Sequence, residues 1–249
     1  MGKSFHFLTA VLALLTGLVF VIGIGYFSGS FFATPRLPVM GVLSGFIIMG
    51  VVAALASKER TIMEPGLAAA AVAVVSFFVL RGLELKGFKA LSMSDMALVM
   101  CNGFILTWVG AWVGELLQGS RVPASGAQEY LQWSWILCGM VIGVTISMVK
   151  ASFIAILLGA QFTLVMWAFI VGLFLTGLVV GWKSPGVTIR EGAVAGFLTV
   201  ILDIDIVALT LVPVWGKTKL VGVIIGIVVT LIGAYAGEMI QKKTGRATV

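Results

Sequence analysis

The sequence predicts an all-α polytopic membrane protein of about eight transmembrane helices, arranged as two tandem four-helix repeats in parallel orientation. Three observations predict it: apolar runs recur from end to end, charge is scarce, and the second half of the chain repeats the first.

Of 249 residues, 60% are apolar and only 10% are charged, against about 25% charged in a soluble domain. Water cannot be the solvent for most of this surface. A hydrocarbon core of roughly 30 Å needs about 20 apolar residues per helix, and breaks in hydropathy leave eight such runs, at about 7–28, 39–57, 62–81, 97–117, 133–156, 163–182, 189–207 and 219–240. The first follows a short segment holding Lys3 and His6 and is too long for a signal core, so it reads as a retained helix. Between Trp133 and Trp182 the apolar stretch is too long for one crossing, and Gly159-Ala-Gln161 is the best place for the chain to turn back.

Shifting the sequence by 127 positions places Gly45 and Gly50 on Gly172 and Gly177, and Ser57, Thr61, Ile62 and Glu64 on Ser184, Thr188, Ile189 and Glu191. A shift of 123 places Gly103, Thr107, Gly110, Ala111, Gly114, Glu115 and Gln118 on Gly226, Thr230, Gly233, Ala234, Gly237, Glu238 and Gln241. The repeats therefore span 1–122 and 132–249, joined by a linker at 123–131. Four spans is an even number, so the two repeats share one orientation. Eight spans put both tails on one side with nine of the 16 basic residues, and the positive-inside rule makes that side cytoplasmic.

The formal charge of +6 is spread over short loops and tails, which suits anionic lipid rather than nucleic acid. Cys101 and Cys138 sit inside apolar runs at unmatched positions and read as buried packing thiols, not as a disulfide or metal pair. Trp133, Trp135, Trp182 and Trp215 flank spans as interfacial anchors do, and lone His6 reads as a surface residue. The segment from Arg81 to Asp95 suits a short amphipathic helix on the outer surface.

Thr61-Ile-Met-Glu64 and Thr188-Ile-Arg-Glu191 each precede an apolar run, and Thr followed three residues later by Glu is a capping box. Glu64 and Glu191 are otherwise secondary candidates for ion or substrate contact, as are Glu115 and Glu238, whose plainer reading is interfacial. Gly103, Gly110 and Gly114, and likewise Gly226, Gly233 and Gly237, line one face of the fourth and eighth spans, where small residues let helix backbones approach closely. These stripes meet each other or pack within their own halves.

Lys150, Asp203 and Asp205 have no like residue in the first repeat and form the candidate substrate or ion site. Ionisable groups inside a span are costly and need a partner. With a rise of 1.5 Å per residue, Lys150 and Asp203 stand about 25 and 22 Å along their helices, at similar depth. Asp203 and Asp205 point about 200° apart on a regular helix, so only one can face Lys150. The competing readings are snorkelling to the outer headgroups and a structural ion pair.

No nucleophile with its base, no cluster of metal ligands and no phosphate loop is present, so neither an enzyme nor a cofactor is expected. The expected function is a secondary carrier or channel for a small solute or ion. The alternative is a non-catalytic subunit or scaffold whose Gly faces hold a second copy or another membrane protein.

Overall fold

A computed structural model describes residues 6–57, 63–119, 131–158, 162–184, 188–210 and 217–243. The described residues are all-helical, and among them eight helices run in order: α1 Phe7–Phe31, α2 Arg36–Ala56, α3 Met63–Gly82, α4 Met93–Gln118, α5 Trp133–Leu158, α6 Phe162–Lys183, α7 Thr188–Thr210 and α8 Lys217–Lys243. Seven of them are long and apolar enough to cross a membrane. α7, which carries Arg190, Glu191, Asp203 and Asp205, is not among those seven. The expected turn at Gly159-Ala-Gln161 lies outside the described residues, between the end of α5 and the start of α6.

Large apolar side chains such as Phe7, Leu67, Phe78, Leu98, Leu157 and Ile224 lie on the outside. In water such a surface would aggregate; in lipid it is the solvent-matched face. The chain divides into two compact units, 1–123 and 124–249.

In the first unit α2 and α4 form the closest helix pair, α1 packs on α2 and on α3, and α3 also packs on α4. The pairing follows from the small residues. A Cβ at Gly110 would collide with the Ile47 carbonyl, one at Gly50 with the Thr107 carbonyl, and one at Gly114 with Ala54 and the Val51 carbonyl. Without those Cβ atoms the backbones touch, and dispersion and Cα–H···O contacts replace the burial that lipid cannot drive. Gly103 accommodates the Phe46 ring.

In the second unit α6 pairs with α8 in the same manner, and α5 lies along α6. Gly233 abuts the Phe174 carbonyl, Gly237 the Leu178 carbonyl, and Gly177 the Thr230 carbonyl. Gly226 receives Val200 of α7. The stripes therefore pack within their own halves.

Several expectations need correction. The segment after Arg81 is a run of turns, not an amphipathic helix. It folds inward because Leu85 and Phe88 are buried in the first core and the Gly87 N–H donates to the Gly29 carbonyl at 2.7 Å. Arg81 ties the far end by donating to the Leu91 carbonyl at 2.8 Å. Only Gly fits at position 87, where a Cβ would press on Pro38 and on the backbones of Phe32 and Gly29. Cys138 is buried but Cys101 is exposed, and Trp135 is buried rather than an interfacial anchor. α1 also contains a π-helical turn, Leu18–Ile22, which brings the Val21 backbone onto Gly45.

Candidate functional site: a buried polar layer in the second unit

Two kinds of buried polar group stand out. The first kind joins helix ends. Glu64, on the first turn of α3, accepts the backbone N–H of His6 at 3.1 Å, where α1 begins. Glu191, on the first turn of α7, accepts the backbone N–H of Gln132 at 2.8 Å, where α5 begins, and also the Ser184 hydroxyl. Gln118 donates to the Ser57 carbonyl, and Gln241 to the Ser184 carbonyl.

Glu64 and Glu191 thus reach the start of another helix, whereas a capping box turns Glu back on its own helix. Thr61 and the Thr188 side chain lie outside the described residues. Among the described residues a capping box joins Ser92 and Asp95 at the start of α4: the Asp95 N–H donates to Ser92 Oγ and the Ser92 N–H to Asp95 Oδ2, both at 3.1 Å. Glu115 is buried, and Glu238 is half-buried and pairs with Lys242 at 2.9 Å.

The second kind is a layer inside unit two. Asp203 of α7 is only 3% exposed. The Ser147 hydroxyl of α5 donates to its Oδ2 at 3.2 Å, and its Oδ1 has no hydrogen-bond partner among the described residues. Ser147 reaches this depth because it packs against Gly172 of α6, and Thr176 reaches it by packing against Gly143 of α5. Thr176 Oγ1 lies 3.4 Å from Thr199 Oγ1, one turn before Asp203 on α7. All three hydroxyls are fully buried or nearly so. Three helices therefore supply two adjacent rungs of side-chain oxygen.

One side of Asp203 opens on a crevice of about 80 Å³ between α6, α7 and α8. Its walls include Phe169, Leu173, Val200, Val207 and Ile225, and among the described residues Asp203 is the one ionisable group that lines it.

The expected trio does not assemble. Lys150 is half-buried on α5 and makes no ion pair with Asp203, whose α5 partner is Ser147 instead. Asp205 is exposed, as the 200° offset requires once Asp203 faces inward. Asp203 itself is no headgroup snorkeller.

Ser147, Thr176 and Thr199 escaped sequence reasoning because a Ser or Thr in a membrane helix satisfies itself on the carbonyl four residues back, as Thr176 and Thr199 also do here. A signal existed: the 127 shift sets Thr176, Thr199 and Asp203 over Met49, Val72 and Ser76.

Compared with known proteins, the chain matches no family model, no curated protein and no solved structure.

Proposed function

We propose that this integral membrane protein is a carrier or channel for a small solute or ion, and that the polar layer of the second unit is its site. The observation that carries the reading is Asp203. A carboxyl group placed in a helical membrane interior costs about 2.5–3.5 kcal/mol on the insertion scale and is kept where it has work to do. Here it has one hydroxyl partner, one unpartnered oxygen and an apolar crevice beside it. Lys150 and Asp205 flank this layer rather than build it.

The architecture behind the reading is a tandem repeat with eight spans, α7 included, in parallel orientation and with cytoplasmic tails. Repeated contacts favour it. Gln118 with Ser57 and Gln241 with Ser184 form the same bond, as do Glu64 with His6 and Glu191 with Gln132. Gly17 meets Met49 as Gly143 meets Thr176, which extends the repeat into the first helix with a shift of 126. A duplicated bundle with one specialised half suits transport.

The scaffold reading draws on the Gly faces, but these are consumed within each unit by α2 with α4 and α6 with α8. That leaves the lipid-facing apolar surface for a partner. The experiment is uptake by proteoliposomes of a panel of labelled ions, amino acids, sugars and organic acids. Saturable uptake by the wild type that Asp203→Asn abolishes supports the carrier. No uptake of any panel member, together with stable co-purification of a membrane partner, supports the scaffold.

A further inference from the structure

Resting on the carrier reading, we infer that the Asp203 layer binds one monovalent cation, a proton or an alkali ion. The donor set is all oxygen: both Asp203 carboxyl oxygens, Ser147 Oγ on the same rung, and the Thr176 and Thr199 hydroxyls on the next. Hard cations take such donors, and softer metals want nitrogen or sulfur.

Charge selects the valence. A single carboxylate supplies one negative charge, which a monovalent cation neutralises and a divalent one exceeds; calcium sites draw on several carboxylates among six to eight oxygens. An anion is disfavoured because among the described residues no cationic side chain lines the crevice or bonds to the layer.

Among the described residues no charged group on the surrounding helices forms an ion pair with Asp203. On α5 the titratable groups are Lys150, half-buried one turn after Ser147, and Cys138, nine residues before Ser147. On α6 Lys183 lies at the far end, over the Trp182 ring. On α8 Lys219 is exposed, and Tyr235, Glu238 and Lys242 lie toward the opposite end. On α7 Arg190 and Glu191 sit three turns away and Asp205 faces outward.

A charged carboxylate with one hydroxyl partner is expensive where water is excluded, so its charge must be matched by something that arrives. Asp203 Oδ1 is the atom left free to receive it. The first unit lacks the site, having Met49, Val72 and Ser76 at the matching positions.

The test is infrared difference spectroscopy of the full-length protein in lipid, comparing wild type with Asp203→Asn to isolate the Asp203 carboxyl band. It is run as a pH titration in choline chloride, then at fixed pH with sodium or potassium replacing choline. A band that titrates with pH and ignores the alkali ions identifies a proton site. A band that sodium or potassium converts to carboxylate identifies an alkali-ion site. A band that responds to neither overturns the proposal, because Asp203 is then a permanently closed structural acid. Ser147→Ala keeps the carboxyl, and its titration midpoint must move; it also answers the question if Asp203→Asn does not fold. Normal titration in a protein that takes up no panel solute leaves the cation site standing and defeats the carrier reading alone.

Discussion

Asp203 and Lys150 look like an ion pair in the sequence, yet each meets a different environment. Because Asp203 bonds to Ser147 and Lys150 stands half-exposed, their effects should add. Lys150→Ala, Asp203→Ala and the double variant, measured by denaturation in detergent, are expected to combine within about 0.5 kcal/mol, as non-contacting sites do. A coupling above 1 kcal/mol on the same scale would restore the ion pair. Glu191 is different in kind: truncation to Ala removes an acceptor from the buried Ser184 hydroxyl and from the Gln132 N–H together. Glu191→Ala should therefore cost about 1–3 kcal/mol. Glu64→Ala, with the His6 N–H as its recorded bond, should cost less. Equal losses would mean that the Ser184 bond contributes nothing.

At the scale of helices, tight crossings make the glycines unequal. Valine at Gly110 or Gly233 drives a side chain into the Ile47 or Phe174 carbonyl and should destabilise by about 1–3 kcal/mol or more. Gly23 is helical with open space around it, so Gly23→Ala should be neutral or stabilising by up to about 1 kcal/mol. Thermal unfolding in detergent ranks the three, and a Gly23 variant as damaged as the others would refute the packing account.

The same scale shows what was legible. Spans and Gly stripes could be read because lipid demands apolar length and backbone contact demands small residues. The turns after Arg81 could not, since a Leu and a Phe that fold inward look in sequence like an amphipathic face. Nor could the partners of Glu64 and Glu191, which lie 58 and 59 residues away, or the π-helical turn in α1.

For the molecule as a whole, the proposed architecture of eight crossings would put both tails on one side. Single cysteines at Lys3 and Thr244, in a chain with Cys101 and Cys138 replaced, should label with an impermeant maleimide from the same face. Labelling from opposite faces would remove one crossing, and α7 would be the helix to reconsider. The division of labour between units is tested most directly by ion-driven flux in proteoliposomes, because Ser76 and Asp203 occupy matching positions and both leave a buried oxygen without a partner. Wild type, Ser76→Ala and Asp203→Asn are compared under an imposed proton, sodium or potassium gradient. The account predicts flux that Ser76→Ala preserves and Asp203→Asn abolishes; equal loss in both variants, or none in either, would contradict it.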